Sequence, residues 1–465
     1  MQYNGTVKGA SGAMAEVEWQ DKPPKLYSVL TFPEQPKAKL VVVSSASPTS
    51  VYCMVLHSPG KITRGQQVID THQPVSIHVG EAVLGRAMDI FGNPHDGGKP
   101  IKAEHMQPLF SPIEIENSQL VHATELQETG IKPIDFFTPM IRGGKAALVG
   151  GAGIGKTIIL TELINRLVVE SKLAKGQVAV FSAVGERSRE ALELFESLRQ
   201  GQVLPHTSLI IGQMGENPAV RWHTAYGSTA VVEHFRDVMG KDVIFFMDNI
   251  FRFSQAGQEL ATLMHTIPSE DGYQATLTSQ IASLNQRLVS TKQGYVTSIM
   301  ALFVPSDDVT DAAVRAVLPF LDTIIILSRD VFQQGRYPAM DLLNSSSSAI
   351  EPDIVGKKHY DTHTKARQVL EQAASLERIV SLVGIKELSA TDQSTYVRAQ
   401  LIQNYMTQDL LYAQFNPDEG RQYIPREEII DSVIDILDGK YDNVPPEKLI
   451  FCGSLKTVEQ QPAHQ

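Results

Sequence analysis

"GGAGIGKT" runs from Gly150 to Thr157. It completes the apolar run "AALVG" and leads into "IILTELINRLVV", where Leu160, Leu163, Ile164, Leu167 and Val168 recur at helical spacing. A strand, a glycine-rich turn and an amphipathic helix in that order are the context of a phosphate-binding loop. The glycines let backbone amides face an anion, and the helix start adds partial positive charge. On this reading Gly150, Gly151, Ala152, Gly153, Ile154, Gly155, Lys156 and Thr157 cradle the phosphates of ATP or ADP. Lys156 reaches the β- and γ-phosphates, and the Thr157 hydroxyl ligates Mg2+. The bland alternative is a plain glycine-rich turn; the complete lysine-and-threonine ending argues against it.

Outward from this loop, "QVAVFS", "SLIIG", "VIFFMD", "SIMALFV" and "TIIILS" are apolar runs of strand length separated by helical or polar stretches. Near-continuous apolar strands predict a parallel sheet covered on both faces, an α/β class. This rhythm fills residues 76–355. Residues 1–75 read differently, as short strands rich in β-branched and aromatic residues ("TVKGASGAMAEVEW", "KLYSVLTF", "KLVVVSS", "SVYCMVLHS"), which predict a small barrel or sandwich. Residues 356–465 carry amphipathic helices, "TKARQVLEQAASLERIVSLVG" and "REEIIDSVIDILDG", each ended by glycine. "NSSSS", Asn344–Ser348, is expected to be a flexible joint before them.

Two further stretches carry candidate chemistry. "VIFFMD" ends at Asp248, and ligands of open α/β sheets bind at the carboxyl ends of strands. Asp248 is therefore a candidate Mg2+ ligand; the alternative is an N-cap for the following helix. "AVGERSRE", Ala183–Glu190, follows the strand after the phosphate-loop helix. Glu186 is a candidate general base, Arg187 a charge balance for a phosphoryl group, and Glu190 a holder of metal-bound water. The alternative there is a solvated loop in which Ser188 caps the next helix.

The chain has 465 residues and a formal net charge of -11, which argues against a general nucleic-acid binder. Two cysteines, Cys53 and Cys452, exclude a disulfide framework. No run of 18 apolar residues predicts a membrane span, and no signal or transit segment is evident.

Three stretches together, "GERSRE", "DNIFRFSQAG" and "FVPSDDVTDAA", resemble the catalytic beta subunit of F-type ATP synthases; "LSRDVFQQGRYPAMD" and "LGRAMDIFGNPHDGG" extend the likeness. The resemblance implies an N-terminal β-barrel, a RecA-like nucleotide domain and a C-terminal helical domain. It implies reversible ATP hydrolysis coupled to proton or sodium translocation. The implied partners are alpha-type non-catalytic subunits in an alternating hexamer, a gamma-type central stalk and, indirectly, the membrane rotor. The implied location is peripheral, on the cytoplasmic face of a prokaryotic or plastid-like membrane. It also implies catalytic roles for Lys156, Glu186, Arg187 and Arg252, metal roles for Thr157, Glu190 and Asp248, and an adenine-stacking role for Tyr337. Phe415 is its implied partner across the base. Taken alone, Tyr337 is equally a core or interface tyrosine.

The chain departs from that family at several points. "KELSATD", Lys386–Asp392, stands where the family has a strongly acidic loop. "IPSEDGYQ" carries Glu270 and Asp271 in place of small residues. "NSSSSAI" lacks the family's arginine, and the region after Thr407 is altered. The expectation is thus a divergent member or beta-like paralogue. The competing readings are a secretion-type hexameric ATPase, for which Arg315 and Arg329 are candidate trans-acting arginines, and a non-catalytic ring subunit.

Overall fold

The computed structural model describes residues 5–58, 60–110, 115–121, 124–170, 176–264, 266–305, 310–410 and 423–459. The chain divides into two compact units. The first comprises Met1–Val121, Gly176–Leu302 and Asp308–Phe320; the second comprises His122–Lys175, Phe303–Asp307 and Leu321–Gln465. The architecture is of the expected class: a closed N-terminal barrel, a RecA-like mixed sheet with flanking helices, and a C-terminal helical bundle.

In the first unit, β1 (Gly5–Ser11), β2 (Met14–Trp19), β3 (Ser28–Thr31), β4 (Lys39–Ser45), β5 (Ser50–His57) and β6 (Gln67–Pro74) close in the order β1-β2-β5-β4-β3-β6. Closure removes both sheet edges. It rests on β1 meeting β6, with Gly5 opposite Val68. "TVKGASGAM" is two strands because Gly12 turns the chain at φ 56°, a conformation that favours glycine. Val7, Val17, Leu30, Leu40, Val42, Val51, Cys53 and Val68 alternate inward to fill the barrel. The Cys53 thiol is pushed well up by this burial.

The same unit holds a run of parallel strands. Val178–Glu186 pairs with Thr207–Gln213 on one side and with Val243–Asp248 on the other. Val243–Asp248 pairs in turn with Val296–Phe303. Residues Val178 to Gly185 are all buried, as a strand covered on both faces requires. The helices Pro218–Glu233 and Ile250–Leu263 supply part of that cover.

In the second unit Lys145–Gly150 runs parallel to Thr323–Ile326. Ser346–Ser347 pairs antiparallel with Thr323–Ile324, so the serine run is not the flexible joint expected. The physical reason is local. Ser345 Oγ accepts from Ile326 N at 2.9 Å, and Ser347 Oγ donates to Pro139 O at 2.6 Å. Short hydroxyl side chains that bond nearby backbone favour such ordered turns and edges. Helices Lys357–Val383, Ala390–Tyr405 and Arg426–Leu437 form the C-terminal bundle. The first stops at Gly384, φ 85°. No helix among the described residues is long and apolar enough to cross a membrane.

Candidate functional site

The phosphate loop lies in the second unit, between the strand Lys145–Gly150 and the helix Lys156–Asn165. Three of its glycines have a reason. A Cβ on Gly150 would sit 2.6 Å from Ile154 Cδ1 and 3.0 Å from Leu327 O. Gly153 and Gly155 have φ of 75° and 90°, and Gly155 caps the helix in the left-handed conformation. Ile154 is buried and pins the loop from inside, while Ala152, Gly153 and Thr157 are exposed. Lys156 Nζ donates to Gly150 O at 2.7 Å and also to Gly151 O. Its ammonium lies 5.7 Å from the Phe303 ring centroid. Arg329 Nη2 donates to Ala152 O at 3.3 Å, which ties a cation to the outside of the loop.

The helix behind the loop is anchored at its far end. Leu160, Leu163, Ile164 and Leu167 are fully buried, as their spacing predicts. Glu162 and Arg166 form an ion pair at 2.6 Å that is almost wholly buried, and Arg166 Nη1 also donates to Gly130 O at 2.8 Å. Buried charges need such partners, because either ion alone would bear an uncompensated desolvation cost.

Tyr337 is also in the second unit and is 39% exposed. Phe332 packs edge-on against it, with centroids 5.3 Å apart. Phe415 lies outside the described residues.

The acidic residues lie in the first unit. Glu186 ends its strand and Asp248 ends the neighbouring one, with Ala183 opposite Asp248 in register. Glu186 is held up at about 9. Burial is the main cause, followed by its hydrogen bond with Glu190 and the negative charges of Asp248 and Glu190; Arg252 opposes them. Glu190 is lowered, chiefly because the Glu186 hydrogen bond favours its ionised form. One proton between two carboxyls therefore resides on the more buried partner. Arg187 makes an exposed ion pair with Glu190 at 3.4 Å. Arg252 donates to Gln255 Oε1 at 3.0 Å. Its aliphatic stem lies where a Cβ on Gly185 would come within 3.1 Å.

The capping alternatives do not hold. Asn249, not Asp248, caps the helix Ile250–Leu263, its Oδ1 accepting from Arg252 N at 2.9 Å. Arg187 occupies the N-cap position of Ser188–Gln200 without a side-chain cap bond, and Ser188 Oγ bonds Gln213 Oε1 at 3.0 Å instead. Asn249→Ala is expected to cost about 1 kcal/mol of stability, the usual value of a lost cap. A thermal melt within error of the parent would show that this cap contributes nothing.

Arg315 makes an exposed pair with Asp271 at 3.4 Å, and Ser389 caps Ala390–Tyr405 through Asp392 N. Arg329 was named from sequence only as a candidate trans-acting arginine, and Phe303 and Asn249 were not singled out. Only Asn249, next to Asp248 before a helical run, carried a readable local signal. A cavity of about 620 Å³ in the first unit is lined by Lys39, His57, Asp89, Phe91, Glu216 and Asn217, and includes neither Glu186 nor Asp248.

Residues 130–347 match the ATP synthase alpha/beta family, nucleotide-binding domain. Residues 348–421 match the C-terminal domain of V and A type ATP synthase. The second match overturns the F-type beta assignment. "GERSRE", "DNIFRFSQAG" and the phosphate loop all lie inside 130–347, the part matched only to an alpha/beta-type domain. The stretch matched to a particular type is 348–421, where "KELSATD" and the residues after Thr407 already departed from the F-type pattern. Over residues 130–421 the chain is thus similar to the nucleotide-binding subunits of rotary ATP synthases, with a C-terminal part of the V and A type and not of the F type.

Proposed function

We propose that this chain is a nucleotide-binding ring subunit of a V/A-type rotary ATPase that hydrolyses or makes ATP. The observation that carries this reading is the loop Gly150–Thr157, a strand-to-helix turn with a left-handed glycine cap and Lys156 at the first helical position. It lies inside the stretch similar to the alpha/beta nucleotide-binding domain. In this reading the loop amides and Lys156 hold the nucleotide phosphates. Glu186 is the general base for the attacking water, and Arg187 and Arg252 balance the charge of the transferring phosphoryl group. Tyr337 stacks on the base.

Each residue this reading assigns to Mg2+ is a hard oxygen donor within its own unit: the Thr157 hydroxyl in the second, the Asp248 and Glu190 carboxylates in the first. No group of three or more His, Cys, Asp or Glu among the described residues could hold a metal by itself. Bound Mg2+ would neutralise phosphate charge. Residues 1–75, 76–355 and 356–465 serve as the barrel, nucleotide-binding and C-terminal parts of the working subunit. Its partners are the other nucleotide-binding subunits of the ring, a central stalk and, through the stalk, a membrane rotor.

Native mass spectrometry of the complex isolated with this chain tests the reading. The expected result is a ring in which this chain alternates with a second nucleotide-binding subunit around a stalk. A homohexamer without a stalk would overturn it in favour of a secretion-type motor, with Arg315 and Arg329 the arginines to test next.

A further inference from the structure

The cavity of about 620 Å³ in the first unit has no part in the chemistry proposed above, and its polar groups are unevenly partnered. Its acids are occupied. Asp89 Oδ1 accepts from Phe91 N and Asn93 N, each at 2.8 Å, and Asp89 Oδ2 accepts from Asn93 Nδ2 at 2.7 Å. Glu216 Oε2 accepts from Gln213 N at 2.8 Å. Burial raises the Glu216 carboxyl, which favours its neutral form. Asn217 is also fully engaged. Its Nδ2 donates to Val55 O at 3.0 Å and to Leu56 O at 3.1 Å, and its Oδ1 accepts from Val220 N at 3.0 Å.

The cations are not occupied in this way. Neither Lys37 nor Lys39 forms an ion pair among the described residues. Lys39 opens β4 and His57 ends β5, and the two lie opposite each other in register. Their side chains therefore leave one face at the end of the barrel wall. Phe91 gathers them: Lys39 Nζ lies 4.6 Å from its ring centroid, and the His57 ring meets it edge-on at 6.2 Å. An aromatic face orients an ammonium without cancelling its charge. Burial lowers Lys39, with Asp89 opposing the shift, so this half-buried cation has lost water without gaining a counter-ion. The helix Pro218–Glu233 starts beside it, with Asn217 and Val220 in the cavity wall. The positive end of that helix borders the same space.

We propose that this cavity binds the phosphate group of a small molecule, with Lys37, Lys39 and His57 as its cationic wall. Two ammonium groups and an imidazole, with no arginine among the described lining residues, fit a phosphate. A planar carboxylate favours the guanidinium fork instead. The volume suits a ligand with a body as well as a phosphate, and the buried Leu56 and Val220 offer that body an apolar surface. The site is independent of the phosphate loop, which belongs to the second unit.

The test is equilibrium binding of inorganic phosphate and of phenyl phosphate to the full-length chain carrying Lys156→Ala, so that the phosphate loop does not supply the signal. Saturable binding of at least one probe is expected. Adding Lys39→Gln should weaken it about 10-fold or more, the loss of one charge-assisted hydrogen bond. Lys365→Gln, at an exposed lysine of the second unit, removes the same charge and should leave binding unchanged. Tighter binding of phenyl phosphate assigns the cavity to a phosphomonoester; equal affinities assign it to free phosphate. Absence of saturable binding overturns the proposal. Binding that Lys39→Gln leaves intact also overturns it, as does an equal loss in Lys365→Gln. Should Lys39→Gln fail to fold, Lys37→Gln, on an exposed side chain, decides by the same readout. None of these outcomes bears on the phosphate-loop reading, which the ATP affinity of Lys156→Ala tests by itself.

Discussion

Lys156→Ala lowers Mg-ATP affinity by about 100-fold or more, measured by calorimetric titration of the full chain. The magnitude follows from hydrogen bonds between a cation and phosphate oxygens, worth roughly 1.5–3 kcal/mol each. Lys156 opens the helix behind the loop, so its position is set by the strand-to-helix turn and not by a mobile segment. The variant should stay folded. Ile154 and the buried apolar face from Ile159 to Leu167 anchor the helix and are untouched by the change. An ATP affinity equal to the parent's would remove Lys156 from the phosphate site and leave the loop as a glycine-rich turn.

Glu186→Gln has the second large effect. In the assembled complex it slows turnover by about 10²-fold or more and keeps nucleotide affinity, as loss of a general base does. Its pH profile is diagnostic. Glu186 is held at about 9 by burial first, and then by Glu190 and Asp248, so at neutral pH most of it carries a proton. A base must be ionised, so the parent's rate should climb as pH rises toward 9; the glutamine variant should lack that climb. Stability moves the opposite way. The unfolded side chain ionises near its ordinary value of 4.5, while the folded one keeps its proton. The unfolded state therefore loses protons first, and folding weakens as pH rises between those two values. Glu186→Gln should not show this contribution, so melting curves of parent and variant should diverge with rising pH. Turnover unchanged in the complex would make this a non-catalytic ring position.

Much of this was legible along the chain, and the reasons are local. The phosphate loop is contiguous, so glycine spacing and one amphipathic helix sufficed to place it. Glu186 and Asp248 are strand-end acids, and strand ends are where an α/β sheet binds ligands. Closure of the barrel was not legible, because it depends on Gly5 meeting Val68, a pairing between distant residues that no local pattern encodes. The serine run misled because its composition suits a joint equally well, and its order comes from Ile326 and Pro139 far from it in sequence. The cap was legible only to within a residue, since Asp248 and Asn249 are equally good capping types and only geometry separates them. The lineage misled because the densest motifs lie where only an alpha/beta-type domain is matched.

The double attachment of Lys156 to Gly150 O and Gly151 O gives the loop a threshold. An incoming anion has to outbid two carbonyl acceptors already in place. A singly charged, diffuse anion offers little beyond what it would displace. A polyphosphate offers dense charge at several oxygens and wins the exchange. On the nucleotide-binding reading proposed above, the lysine filters by charge density, and abundant weak anions in the surrounding solution should make poor competitors for this loop.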